Sequence, residues 1–236
     1  MMTKPTPRAH PAASHGVGRI LVLSRLPLVA QAVAAALASR GRDVVALVWA
    51  GDDAAASTRM VRQAAEDDLM IVLDELEDES AVEQILSLVS GTRARCMVIT
   101  THPPDRAWGA LLDHGVAAIL PGESSLEKVE EVIALAGRGA DMMQPEVREH
   151  ALQEHTSWTD ERSDIEARFA RLSPRELQVL ELLAAGHRVR EVSEIVGRTE
   201  GTVRSQIKSV RHKLGVHSQL AAVVIAHRMG LGDGPR

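Results

Sequence analysis

Residues 172–231, LSPRELQVLELLAAGHRVREVSEIVGRTEGTVRSQIKSVRHKLGVHSQLAAVVIAHRMGL, divide into four helices by their own punctuation. Ser173, Pro174 and Glu176 supply an N-cap, a first-turn proline and an acid at capping-box spacing. Gly186 closes that helix, whose buried stripe is Val179, Leu180, Leu183 and Ala184. A second helix, about Arg190 to Val196, is expected to bury Val192, Ile195 and Val196, and Gly197 suits a turn whose dihedrals disfavour other residues. Thr199 caps a third helix, Glu200 to Leu214. In it Val203, Ile207, Val210 and Leu214 recur at intervals of four, three and four and form one inward face. Gly215 stops it, and Ser218 caps a fourth helix carrying Leu220, Val224 and Ile225.

Two helices joined by a short Gly-containing turn, the second with a basic outer face, describe a helix-turn-helix that lays that face in the major groove of duplex DNA. With Val203 and Ile207 inward, Arg204, Ser205 and Lys208 lie outside near the helix start, where base edges are reached. Arg204 and Lys208 can donate to guanine or phosphate, and Ser205 can contact several bases. Arg211 and Lys213, further along, are expected on phosphates, and Thr202 and Arg190 complete the DNA-facing set. The charge supports this division. From Arg171 onward there are 11 Lys and Arg against 6 Asp and Glu, whereas the rest of the chain holds 16 against 26. An acidic body with a basic end brings only that end to a polyanion.

The segment resembles the LuxR-type DNA-binding domain, in LSPRELQVLELLAAG (172–186), EGTVRSQIKSVRHKLGV (200–216) and the helix after them. The resemblance implies that Arg204, Ser205 and Lys208 face the groove and that the protein binds double-stranded DNA as a homodimer on a two-fold-related site. One departure is RVREVSEIVG (188–197): the family has a polar cap and Asn before the second helix, and here Arg188 and Val189 stand there. A weaker cap follows, with Arg188 and Arg190 available for the phosphate contacts.

Upstream, residues 142–170 are polar and charged with few apolar anchors and read as a linker, with a short helix over Pro145 to Glu154. Trp158 is a candidate anchor for that tether. Before it, five short apolar runs alternate with helical patterns: Ile20 to Leu23, Val44 to Trp49, Leu69 to Leu73, Met97 to Thr100 and Ala117 to Leu120. Continuous apolarity marks strands covered on both faces. The helical segments are Pro27 to Arg40, Ala54 to Ala65, Ala81 to Val89, Arg106 to His114 and Ser125 to Gly137, the last with Ser124 and Glu127 at capping-box spacing. Strand–helix repetition of this kind implies a parallel sheet with helices on both faces, an α/β domain over residues 18–141.

That domain resembles the receiver of response regulators of the NarL/FixJ type, in ILVLSRLPLVAQAV (20–33), LMIVLD (69–74), MVITTH (97–102) and HGVAAILPGESSLEKVEEVIALAGRGADMMQPEV (114–147). The resemblance implies a flavodoxin-like five-stranded sheet of order 2-1-3-4-5, with Asp74 at the phosphate-accepting position and Thr100 ending the fourth strand. The departures fall on the chemistry. A receiver holds Mg²⁺ with two acidic residues after its first strand and contacts phosphate with a Lys after the fifth. Here Ser24 and Arg25 replace the acids, and the Lys position falls on Pro121 or Gly122. One carboxylate beside a guanidinium makes a poor Mg²⁺ site. The expectation is therefore a degenerate, pseudo-receiver domain in which Asp74, Thr100, Ser24 and Arg25 no longer transfer phosphate. Two arrangements stay open for Arg25: a salt bridge to Asp74, or a side chain in solvent. Thr100 reads as a strand-end hydroxyl satisfied by backbone.

The remaining features bound these readings. At 236 residues the chain suits two domains, and residues 1–17 read as a disordered tail without the apolar core of a signal peptide. No run is long enough to span a membrane. Cys96 is the one cysteine, which excludes an internal disulfide and fits a reducing, cytoplasmic location and a buried packing role. No Gly-rich phosphate loop, nucleophile–base pair or metal cluster stands out, so no enzyme and no cofactor is expected. The chain reads as a transcription regulator whose receiver acts through dimerisation or through a protein or small-molecule effector. The competing readings are a conventional two-component regulator phosphorylated on Asp74 and a small-molecule sensor.

Overall fold

Five aliphatic runs form one parallel sheet because each is apolar on both faces and so must be covered on both. In the computed structural model, which describes residues 16–49 and 54–231, these are β1 (Ile20–Ser24), β2 (Val44–Val48), β3 (Leu69–Leu73), β4 (Arg95–Thr100) and β5 (Val116–Pro121). They lie in the order β2-β1-β3-β4-β5. The crossovers are α1 (Pro27–Ala38), α2 (Ala54–Arg62), α3 (Glu79–Ser90) and α4 (Arg106–Asp113), and α5 (Leu126–Gly137) follows β5. This is the α/β sheet expected from the sequence. The expected tail falls outside the described residues except for Gly16 and Val17.

The pleat divides the core in two. Leu21 and Leu23 point to the side packed with Val61, Ile85, Trp108 and Leu111. Ile20 and Val22 point to the side packed with Ala30, Leu37, Val132 and Ile133. Cys96 is buried in the first cluster, and burial pushes its thiol up to about 12, so it packs as an inert hydrophobe. Because the strands are parallel, their C-terminal ends share one edge, where Asp74 N–H reaches the Ile99 carbonyl and Gly122 N–H the Thr100 carbonyl.

The structure departs from the sequence expectation at two helices. The cap of α5 is Ser125, whose hydroxyl accepts from Lys128 N–H, in place of Ser124 paired with Glu127. The helix frame is set by burying Val129, Val132, Ile133 and Ala136, and that frame puts the first helical residue at Leu126. Glu127 instead accepts from Arg40 at 3.0 Å. The second departure is α6 (Pro145–Phe169), one helix of 25 residues where only Pro145 to Glu154 was expected to be helical. No Gly or Pro interrupts residues 146–169, and the pairs Arg162–Glu166 and Asp164–Arg168 support its second half. Arg162 also stacks over Trp158.

The chain divides into two units between Thr156 and Ser157, within α6. The second unit holds α7 (Pro174–Ala184), α8 (Val189–Ile195), α9 (Glu200–Leu214) and α10 (Gln219–Arg228). Its core has two parts, one around Leu180, Val210, Leu214 and Ala226, the other around Val179, Val192, Val203 and Ile207. Ile195, expected inside, is 53% exposed. The inward stripe of α8 centres on Val189, Val192, Ser193 and Val196, and Ile195 lies roughly 120° away around the helix.

In the first unit, α6 approaches α4 closely at Gly109, where a Cβ would lie 2.1 Å from the Ala151 carbonyl oxygen. Replacing a mid-helix Gly by Ala gains about 1 kcal/mol of helix propensity. A clash with backbone outweighs that gain, since overpacking of this kind costs about 1–3 kcal/mol or more. Gly109→Ala is expected to lower the stability of the first unit in denaturant unfolding; an unchanged or raised midpoint would show that α6 yields freely.

Candidate functional site

At the C-terminal edge of the sheet the structure gathers Ser24, Arg25, Asp74 and Thr100. Arg25 Nε donates to Asp74 Oδ2 at 2.9 Å, and the Asp74 side chain is only 6% exposed. Of the two arrangements left open by the sequence, this is the salt bridge. The other carboxylate oxygen, Oδ1, accepts from Leu76 N–H at 2.9 Å. Leu76 is buried and holds a left-handed backbone, φ 54, which costs a leucine about 1–2 kcal/mol. Arg25 also stands 5.1 Å from the ring centroid of Trp49. That contact escaped the sequence reading, although pairing of Ser24 with Val48 makes the two following residues neighbours.

The polar neighbours are turned inward. Ser24 Oγ accepts from Leu26 N–H at 3.1 Å, and Thr100 Oγ1 accepts from His102 N–H at 3.1 Å. Both residues are buried and satisfied by backbone. At Gly122 a Cβ would come within 2.7 Å of the Thr101 side chain, so the turn after β5 runs tightly against the end of β4.

In the second unit the expected DNA-facing residues separate into two groups. Arg204, Ser205, Lys208 and Thr202 are exposed on the outer face of α9, behind which Val203, Ile207, Val210 and Leu214 are buried. Arg204 reaches Glu200 only at 3.4 Å with its side chain 66% exposed, and Ser205 donates to the Gly201 carbonyl. Arg190, on α8, is exposed and pairs with Glu194. Arg211 and Lys213 are engaged within the unit: Arg211 donates to the His217 carbonyl, and Lys213 Nζ lies 2.7 Å from Glu176. The turn between α8 and α9 uses Gly197 at φ 65, and the N-terminus of α8 is half capped. Glu191 accepts from Arg188 N–H, but a guanidinium has no acceptor for the reverse bond.

Residues 170–226 match the family "Bacterial regulatory proteins, luxR family". The matched segment thus begins directly after α6 and closes within α10. "HTH-type transcriptional activator RamA" of Corynebacterium glutamicum is 45% identical over 60 residues, 25% of this chain and 21% of that one. Across more of the chain, "Transcriptional regulatory protein YdfI" of Bacillus subtilis is 26% identical over 166 residues, 70% of this chain and 76% of its own length. "Nitrate/nitrite response regulator protein NarP" of Escherichia coli is 28% identical over 135 residues, 57% and 60% respectively.

Within the matched segment, Glu176 does more than cap α7. Its carboxylate accepts from Ser173 N–H at 2.7 Å, Ser209 Oγ at 2.6 Å and Lys213 Nζ at 2.7 Å, which ties α7 to α9. Burial by itself raises the Glu176 carboxyl, and the bonds from Lys213, Ser209 and Ser173 outweigh it, holding the group at about 2. A depressed pKa gives stability that is complete above the ordinary carboxylate range and disappears as pH falls through the folded value. The difference is worth about 3 kcal/mol at neutral pH. Glu176→Gln is expected to lower the stability of the second unit by an amount of that order at pH 7. Parent and variant should then converge as pH falls from about 4.5 to about 2. A pH-independent gap would assign the loss to packing alone.

The Arg25–Asp74 pair generates an asymmetric expectation. Arg25 is 41% exposed and falls back into water when its partner is lost, whereas Asp74 is nearly buried. Arg25→Ala strands that carboxylate and should cost the first unit about 1–3 kcal/mol. Adding Asp74→Asn, which keeps an acceptor for Leu76 N–H, should restore a good part of the loss. Denaturant unfolding of the three proteins measures this, and a double variant no more stable than Arg25→Ala alone would remove the ion pair as the cause.

Proposed function

We propose that the protein is a sequence-specific DNA-binding transcription regulator whose receiver-like unit is not phosphorylated and acts through dimerisation, a partner or a ligand. The observation that carries this reading is the outer face of α9. It is cationic and exposed, held by four aliphatic residues behind it and begun by a capping Thr199 whose hydroxyl accepts from Thr202 N–H. Arg204, Ser205, Lys208 and Thr202 near the start of that helix are placed to meet base edges. Arg190 on α8 is suited to the backbone. Arg211 and Lys213 reach phosphate only by leaving their internal partners, which makes them the weaker members of the set. The names of the relatives, a transcriptional regulatory protein and a response regulator, support the same class.

Against phosphoryl transfer stands the donor set at the sheet edge. Mg²⁺ requires oxygen ligands in near-octahedral array. Both oxygens of Asp74 are engaged by Arg25 and Leu76 N–H, Ser24 Oγ is turned to backbone, and a guanidinium stands where an acid would be needed. The residues do not fit the ion. Homodimerisation is supported by Leu220 and Val224, one turn apart on α10 and respectively 72% and 47% exposed.

Measuring affinity for an operator fragment against random duplex tests the reading. Lys208→Ala should weaken the specific complex by about 1–3 kcal/mol, with a smaller effect on random DNA. Parent affinity should fall steeply with salt, the log–log slope being about −0.9 per phosphate neutralised. A small-molecule phosphodonor should leave that affinity unchanged. Phosphodonor-dependent tightening would restore the conventional two-component reading, and failure to bind any duplex at low salt would end the proposal.

A further inference from the structure

A cavity of about 680 Å³ opens at the C-terminal edge of the sheet, beside the Arg25–Asp74 pair. Its existence follows from composition. Six of the twelve residues of α1 are alanine, and on the side facing α5 the small Ala32 and Ala36 leave the space between the helices unfilled. Val29, Val33, Leu126, Val129 and Ile99 make the rest of that interior apolar. The volume lies within the range of about 300–1,000 Å³ that accepts small molecules.

The mouth has the opposite character. Asp74, Glu75, Glu77 and Asp78 supply four carboxylates on the loop leading into α3, against the single guanidinium of Arg25. Arg25 is already spent on Asp74, Glu75 accepts from Thr101, and Asp78 caps α3 by accepting from Ala81 N–H. Glu77 is exposed and makes no hydrogen bond or ion pair among the described residues. An anion entering here meets an excess of like charge close at hand, whereas a cation is attracted. Apolar walls behind an acidic rim select a molecule that is oily at one end and positive at the other.

We infer that this cavity binds a small amphipathic organic cation, its ammonium group among Glu75, Glu77 and Asp78 and its hydrocarbon body between α1 and α5. Such a ligand would supply the phosphate-independent input proposed for this unit. Its failure to bind would leave the DNA-binding reading standing, because binding is measured without DNA.

Isothermal titration of the full chain with octylammonium chloride tests this, with octanoate and octan-1-ol as probes of equal chain length below their aggregation limits. Octylammonium is expected to bind saturably at one site, about tenfold or more tighter than octanoate, and to weaken as salt screens the rim. Glu75→Gln with Glu77→Gln, both exposed, should reduce the affinity about threefold to tenfold. Ala32→Trp, at an exposed position lining the space, should abolish binding. Equal affinities for octylammonium and octanoate, or undiminished binding by a folded Ala32→Trp protein, would overturn the assignment. If Ala32→Trp does not fold, parent-like affinity in the double glutamine variant would overturn it equally.

Discussion

Parallel pairing constrains this molecule more than any other single feature. A parallel strand cannot be followed by a tight turn, so each crossover must return the chain to the same starting edge, and both faces of the sheet are consumed in covering it. Polar side chains then have little room inside and collect where the strands end. Residues as far apart as Arg25, Asp74, Thr100 and Gly122 meet there for that reason. Their meeting is a product of topology, and what they do once assembled depends on which side chains the sequence has placed at the ends.

In this chain the ends carry one cation beside one nearly buried carboxylate, and the electrostatics settle into a closed set of contacts. Arg25 answers one oxygen of Asp74, backbone answers the other, and the hydroxyls of Ser24 and Thr100 are occupied locally. The second unit solves a different problem with different means. There aliphatic spacing fixes the orientation of α9, and one buried carboxylate, Glu176, braces it from behind. The outer cations Arg204 and Lys208 face solvent.

How much of this could be read in the amino-acid order depended on whether the deciding interaction was local. The strands were legible because residues such as Leu69 to Leu73 are apolar without alternation, and α9 because Val203, Ile207, Val210 and Leu214 keep a helical interval. The cap of α5 is not fixed by the sequence, since Ser124 and Ser125 can both cap and only tertiary burial of Val129 and Ile133 chooses between them. The length of α6 was hidden by its low hydrophobicity, although the absence of Gly and Pro was a usable signal. The pairing of Lys213 with Glu176 was hidden because the two lie 37 positions apart, where no periodicity reaches. The sequence allows Arg25 either to pair with Asp74 or to point into solvent, and only the arrangement of strands distinguishes the two.

Leu76 carries a last consequence. A branched, buried side chain held in the left-handed region is an uneasy conformation, and the amide that fixes it is anchored by the Asp74 carboxylate. The acid therefore has an architectural duty that is independent of any group transfer. A chain could surrender that chemistry altogether and still need an acceptor at this spot to keep the neighbouring bend in shape, so an aspartate there is a poor witness to catalytic history.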